Sequence, residues 1–569
     1  MRVYEAIVNG LEGIGVEAAF GGAGENAAGL MVALKHSKKI RPIITRHEQA
    51  ASFAACGYAM YTDKLGFCFA TAGPGAFNLF SGLAVAMSDS YPVLAVSGYS
   101  AVEWAGRGSL NETSGLNRTP NSQAMFAATT KKSYLLTRAA DTCDVLEHAI
   151  NLAFEGRPGP VHIHVPENLT HPHQSVDNFR ALRLDVAPVR ADPSRIEAAA
   201  TAIAQALEAG ESVVALVGFG AIRSGAGLAV KQFLERFQIP VITTLDGKGI
   251  IDENHPLSVG VFCDSGHASA MKAFLRAKVV VAIGNAFNQH ATFNYHEELF
   301  ADKTLVHINI SASEIDKTYK VDHAIISDAR PAVEALHEAL DAKVGVVKTP
   351  KVDARDYEQQ WIHHLPGTLH PGELAQKIGQ MLPPKGIVLA DAGAHLAWLG
   401  YFLELEEGQN FRKAGEFGPM AGHVNGALGL KIAHPDRAVV VGCGDGCYNL
   451  SGFELMTAVE HAIPVIWIIF DDGEFKLIKL FQLETYRESA LVEFKNPDYA
   501  AYARACGADG YCVESLEEFE QAFAAALASG RPSVIDAHIT RLAVPHYSPS
   551  PHGLLAGIVD MAKARPSGG

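Results

Sequence analysis

Apolar and polar positions along the chain alternate on two scales. Short runs rich in Val, Ile and Phe, bounded by Gly, Pro or Asp, read as buried strands. They come in three groups: RPIIT (41–45), GFCFATA (66–72) and PVLAVSG (92–98); SVVALVG (212–218), PVITTL (240–245) and VVVAIG (279–284); IVLADAG (387–393), AVVVGCG (438–444) and PVIWIIF (464–470). Helical stretches separate them. This alternation predicts α/β domains, each a doubly wound parallel sheet with helices on both faces. Two polar, proline-punctuated stretches, 171–194 and 346–373, mark the joints. Three domains are expected, at 1–175, 194–345 and 366–545, with a Pro/Ser-rich tail at 546–569.

The 569 residues carry a formal charge of −15, which argues against nucleic acid or an anionic membrane surface as partner. No apolar run approaches the roughly 20 residues that span a bilayer. The first segment, MRVYEAIVNGLEGIG, has the pattern of an amphipathic helix, not of a signal peptide. Eight cysteines are scattered without a CxxC pair, which fits free thiols in a reducing cytoplasm. Cys443 and Cys447 could share a metal, but no second Cys/His pair completes a zinc set.

The first and third groups repeat one another. GPGAFNL from Gly73 and GDGCYNL from Gly444 share Gly-x-Gly-small-aromatic-Asn-Leu, and each leads through a helix to Pro-Val and another apolar run. Two copies of one fold are the simplest explanation. Pro74 stands where the later copy has Asp445, so folding alone does not require that charge. A strand ending in glycine and opening a helix presents free backbone N–H groups that favour an anion, usually a phosphate. Asp445 beside an anion is repulsive unless a divalent cation bridges the two. The next strand should run parallel, which brings Asp472 to the same edge. Two carboxylates, a nearby backbone carbonyl, phosphate oxygens and water make an octahedral oxygen set suited to Mg²⁺. The competing reading makes Asp445 and Asp472 ordinary turn and cap residues.

The 24 residues between Gly446 and Asp471 (447–470) weigh against that reading. With this spacing the segment resembles the thiamine-diphosphate motif of acetolactate synthases and 2-oxoacid decarboxylases, with Asp471-Asp472 in place of the usual Asn-Asn or Asn-Asp. The resemblance to the acetolactate-synthase-like family extends over most of the chain: RHEQAASFAACGYA (46–59), TAGPGAFN (71–78), GRPGPVHIHVPENL (156–169), DGKGIIDENHPLSVG (246–260), DAGAHLAW (391–398) and GEFGPMAGHVNGALG (415–429).

The resemblance implies thiamine diphosphate and Mg²⁺ as cofactors. Glu48 would share a proton with the aminopyrimidine ring; the plain alternative is an Arg46–Glu48 surface pair. The Gly418 carbonyl and the Met420 amide would hold the pyrimidine edge, with the Met420 side chain wedged beneath. His395, Gly444, Gly446 and Cys447 would surround the diphosphate, and Asp445, Asp472 and the Glu474 backbone carbonyl the metal. In this family the glutamate and the diphosphate site come from different subunits, so a homodimer is the minimum active unit and a homotetramer the expected assembly.

The substrates implied are small carbonyl compounds: 2-oxo acids, diketones or acyloins. The pocket departs from that of acetolactate synthase. Leu110 and Asn111 replace Phe and Gln, and Phe481, with Leu477 on the same segment, replaces a Trp. The loop GGAGEN places Glu25 and Asn26 where related enzymes carry Asp or His. Glu25 is expected to relay protons; a cap on the following helix, by Glu25 or Asn26, is the alternative. The stretch GNAFNQH (284–290) lacks the Arg through which the biosynthetic branch binds FAD, which makes FAD the lesser expectation. The leading reading is a carboligase or lyase. A non-ligating 2-oxoacid decarboxylase and a 2-hydroxyacyl- or oxalyl-CoA lyase stand as alternatives.

Overall fold

The computed structural model describes residues 1–545 except 172, 348, 349, 351, 353, 354 and 356–366. The tail expected at 546–569 lies outside the described residues. All nine apolar runs contain strands, within three six-stranded sheets. The first holds β1 (Ala18–Gly21), β2 (Arg41–Ile44), β3 (Gly66–Ala70), β4 (Val93–Tyr99), β5 (Lys132–Leu135) and β6 (Val161–Pro166). The middle sheet holds β7 (Val213–Val217), β8 (Val241–Thr243), β9 (Ser258–Val261), β10 (Val279–Ile283), β11 (Thr304–Asn309) and β12 (His323–Ile326). The third holds β13 (Ile387–Ala390), β14 (Asn410–Lys413), β15 (Val439–Gly444), β16 (Val465–Asp471), β17 (Asp509–Val513) and β18 (Ser533–His538).

The first sheet runs β2-β1-β3-β4-β6-β5 and the third β14-β13-β15-β16-β18-β17. Counted within each domain, the two orders are identical, so the local repeat reports two copies of one parallel topology. The middle sheet runs β12-β11-β10-β7-β8-β9, the doubly wound order in which two halves diverge from the first strand. Val, Ile and Trp dominate β15 and β16 because helices cover both faces of the sheet. Trp467 is fully buried and still satisfies its indole N–H, which donates to the Val424 carbonyl at 3.0 Å.

The first and third domains share one core. Phe20, Phe53 and Tyr58 cluster with Leu428, Val439 and Trp467, and the helix Glu48–Ala59 lies against the helix Gly422–Ala433. Arg412, on β14, joins all three domains. It is buried and pairs with Asp89 of the first domain at 3.2 Å and with Asp246 beyond β8. Its guanidinium also stacks on the Phe219 ring at 3.8 Å. A lone buried cation would be costly; two carboxylates and an aromatic face compensate this one. The eight cysteines are all unpaired, and among the described residues no helix is long and apolar enough to cross a membrane.

Candidate active site

Asp445 opens the helix Asp445–Ser451 directly after β15, the position Pro74 takes after β3 in the first domain. β15 and β16 run parallel with Gly444 beside Phe470, which sets Asp445 and Asp472 at one carboxyl edge. Asp445 is tied down on several sides. Its Oδ1 accepts the Gly446 N–H, and its Oδ2 accepts the Gly473 N–H and the Asn496 side-chain amide, each at 2.7 Å. Burial pushes its carboxyl up to about 7, reinforced by Asp472 and Asp471. Asp472 is pushed up to about 6, mainly by burial. A divalent cation between two such carboxyls would restore both charged forms.

A cavity of about 270 Å³ opens on this edge. Its lining includes His395, Gly418, Met420, Asp445, Gly446, Cys447, Asp472, Glu474 and Leu477. The site residues expected from the third domain therefore converge, except that Gly444 lies just behind the lining and Phe481 lies one turn beyond Leu477, 45% exposed. A Cβ on Gly446 would fill the cradle, meeting the Phe475 ring at 2.5 Å and the Met420 methyl at 3.3 Å. Gly418 adopts φ +66° and Ala421 φ +65°, so two left-handed residues bracket the turn that presents Met420. For Ala421 that conformation is strained. His395 donates its Nε2–H to the Asp391 carbonyl at 2.8 Å, and burial pushes its imidazole down to about 4. It is a neutral ring.

The Glu474 carbonyl accepts the Lys476 N–H at 2.9 Å and keeps a second lone pair. The thiols of Cys443 and Cys447 turn to different carbonyls. Cys447 donates to the Ala392 carbonyl at 2.9 Å, whereas Cys443 turns toward Ile468. Burial pushes both thiols well up.

The first-domain residues gather at the carboxyl edge of their own sheet. Glu48 opens its helix, half-buried, and its Oε2 accepts the Asn78 amide at 2.9 Å. The Arg46–Glu48 pair is not formed: Arg46 reaches Glu460 at 2.5 Å instead. Asn26 anchors the GGAGEN loop, its backbone N–H donating to Thr71 Oγ1 at 3.2 Å. Neither Glu25 nor Asn26 caps the next helix, which starts at Ala28 without a side-chain cap. Glu25 is exposed, Asn111 is half-buried, and Leu110 is 79% exposed. Among the described residues, no first-domain residue lines the third-domain cavity.

Asn496, Asn78 and Lys476 were missed in the sequence. Asn496 also donates to Asp471 Oδ1 at 2.7 Å, and Lys476 Nζ lies 3.4 Å from Asp472 Oδ2. Asn78 stands inside the repeated Asn-Leu pair, which was a usable signal. Asn496 sits in an irregular segment whose pattern gave none. A second cavity, of about 560 Å³, lies where the domains meet and is lined by Arg157, Gly218, Phe219, Arg223, Asn285 and Asp328 among others.

Comparison with known proteins agrees with this geometry. Residues 1–118 match the thiamine pyrophosphate enzyme N-terminal TPP binding domain, residues 200–336 the central domain and residues 391–537 the C-terminal TPP binding domain. A probable acetolactate synthase large subunit of Methanocaldococcus jannaschii is 30% identical, covering 100% of this chain and 96% of its own. The acetolactate synthase large subunit of Corynebacterium glutamicum is 30% identical over 94% of this chain and 86% of its own. The chain thus belongs to the thiamine pyrophosphate enzymes, as an acetolactate-synthase-like, thiamine-diphosphate-dependent carboligase.

Proposed function

We propose that the enzyme joins two small carbonyl compounds, the donor being a 2-oxo acid that loses CO₂, with Mg²⁺ as the second cofactor. The observation that carries this reading is the convergence of Asp445, Gly446, Asp472, Glu474 and Met420 on one cavity at the ends of β15 and β16. When bound, thiamine diphosphate supplies a nucleophilic carbon and takes up the electron pair left by the departing group. Asp445, Asp472 and the Glu474 carbonyl hold Mg²⁺. The Gly446 and Cys447 amides and neutral His395 face the diphosphate, close to Gly444. The Gly418 carbonyl and Met420 amide orient the pyrimidine, and Glu48 holds the proton at its ring nitrogen. Glu25 moves a proton at the substrate. Asn26, Leu110, Asn111, Leu477 and Phe481 bound the substrate side.

The separation of Glu48 from the third-domain cavity supports a homodimer in which each site takes one half from each copy, with a tetramer of two such dimers. The exposed Leu110, Ile478 and Phe481 side chains around the two halves suit burial against a second copy. Free thiols throughout suit a cytoplasmic setting. For the second cavity FAD is the lesser reading, and a flavin spectrum of the purified protein tests it.

The purified enzyme with thiamine diphosphate, Mg²⁺ and pyruvate is expected to release CO₂ and form a branched or linear hydroxyketone or hydroxyketo acid. Release of CO₂ with acetaldehyde as sole product, across added acceptor aldehydes and diketones, would establish simple decarboxylation instead.

A further inference from the structure

Away from the cofactor edge, the last two strands of the third sheet bring together three side chains of different chemistry. Cys512 on β17 lies beside Asp536 on β18 in the parallel register. His538 follows two residues later on the same face of β18, as the period of a strand requires. Their donor atoms, Cys512 Sγ, a carboxylate oxygen of Asp536 and a ring nitrogen of His538, all lie within 4.8 Å of one another. The Cys512 Sγ to His538 Nε2 distance is 3.8 Å, and that from His538 Nε2 to Asp536 Oδ2 is 3.5 Å.

These separations are near, and in part slightly longer than, those a tetrahedral ion imposes. With bonds of about 2.3 Å to sulfur and 2.0–2.2 Å to nitrogen and oxygen, the edges of the tetrahedron come to about 3.3–3.6 Å. A small side-chain movement closes the set.

A second observation points the same way. Asp536 is 2% exposed, and its Oδ1 has no hydrogen-bond partner among the described residues. The Tyr499 backbone N–H leans toward the carboxylate without closing a hydrogen bond to Oδ1. Oδ2 is the oxygen turned to His538, and an ion held by both carboxylate oxygens would also engage Oδ1, whose unpaired burial is otherwise costly. Cys512 and His538 are exposed, which leaves a route for an ion and room for a water as fourth ligand.

The outer partner is present too. Glu514 Oε1 lies 3.5 Å from His538 Nδ1, on the opposite side of the ring from Cys512 and Asp536. A carboxylate there accepts the Nδ1–H and leaves the Nε2 lone pair free for an ion, the usual support of a metal-bound histidine. Asp471, next to His538 in the register between β16 and β18, adds a further negative charge.

We propose that Cys512, Asp536 and His538 bind one Zn²⁺ ion at the edge of the third sheet, with Glu514 as positioning residue. Thiolate and imidazole donors select zinc over Mg²⁺ or Ca²⁺. The ion staples edge strand β17 to β18. It also stands beside Asp471, whose charge the cofactor-side metal does not require.

The test uses full-length enzyme stripped with EDTA and then saturated with Mg²⁺ and thiamine diphosphate, so that the other carboxylates are occupied. Co²⁺ is titrated in as a spectroscopic probe and then displaced with Zn²⁺. One equivalent is expected, with thiolate-to-cobalt charge-transfer absorption that disappears in Cys512→Ser. Glu514→Gln should weaken Zn²⁺ about 10–100-fold, and Zn²⁺ should raise the melting temperature of the wild type but not of Cys512→Ser or His538→Gln. The three substituted residues are surface groups, so the variants are expected to fold. Absence of the charge-transfer band, or a band that survives Cys512→Ser, overturns the proposal.

Discussion

The α-carbon of Gly57 abuts the carbonyl oxygen of Gly426, so that a Cβ added at Gly57 would overlap it. The helix that starts at Glu48 and the helix that follows Met420 thus meet backbone to backbone. Gly57→Ala adds about 1 kcal/mol of helix propensity, but the methyl meets backbone that cannot rotate away. Overpacking of this kind costs about 1–3 kcal/mol, and a rigid neighbour puts the loss at the upper end. Net destabilisation is expected in urea and thermal unfolding. Gly13→Ala, at the end of its helix, where a Cβ meets nothing within 4 Å, is the control and should be neutral or stabilised by up to about 1 kcal/mol.

Glu48→Gln keeps an acceptor for the Asn78 amide, so folding and cofactor affinity should hold. It loses the group that shares a proton with the pyrimidine. Exchange of the cofactor C2 hydrogen with deuterium should slow about 10²–10⁴-fold, followed by NMR after acid quench. Unchanged exchange would remove Glu48 from the proposed chemistry.

Asp445→Ala and Asp472→Ala should each lower affinity for Mg²⁺ and thiamine diphosphate together, since the cation screens the anion from the acidic edge. EDTA dialysis should have the same effect on the wild type, reversed by Mg²⁺. Calorimetric titration of the cofactor with and without Mg²⁺ separates the two ligands. Either variant binding thiamine diphosphate normally without metal would break the assignment.

A buried chain of hydrogen bonds in the first domain makes stability depend on pH. Ser97 Oγ contacts both His162 Nε2 and His164 Nδ1 at 2.9 Å, and Ser122 Oγ contacts His164 Nε2 at 3.1 Å. Burial pushes His164 down to about 3. Between that value and 6.5 the unfolded chain binds a proton that the folded chain refuses, so stability falls as pH falls. From pH 7 to pH 5 this group alone costs about 2 kcal/mol. Asp445, raised in the folded state, contributes in the opposite direction over part of that range, so the wild-type slope is a sum. The difference in slope between wild type and His164→Gln, from urea midpoints at both pH values, isolates the imidazole. Equal slopes would mean that His164 is protonated in the fold.

What the sequence disclosed follows from where local pattern suffices. Strand runs such as VVVGCG and VIWIIF are buried on both faces, so hydrophobicity alone reveals them, and glycine stops at their ends place Asp445 and Asp472. The equivalence of Pro74 and Asp445 was legible because both open a helix after the third strand of the same topology. Partners that arrive through tertiary contact left no such mark. Asn496 reaches Asp445 and Asp471 from an irregular segment, and Arg46 passes over Glu48 to Glu460 because the third domain lies within its reach. Asp536 and Cys512 alternate with apolar neighbours on their strands, and only the register between β17 and β18 brings them together.

Arg412 gives the chain an order of assembly. Asp89 and Asp246 leave the ribosome with the first two domains, and both await a guanidinium carried on a strand of the last. Until that strand forms, neither Asp89 nor Asp246 has the guanidinium it meets in the closed molecule. The junction around Asp89 and Asp246 is therefore expected to close fully only once β14 is in place. A nascent chain cut short before β14 should keep its two sheets and lack the closed junction, displaying the missing charge as a gap that chaperones and proteases can read.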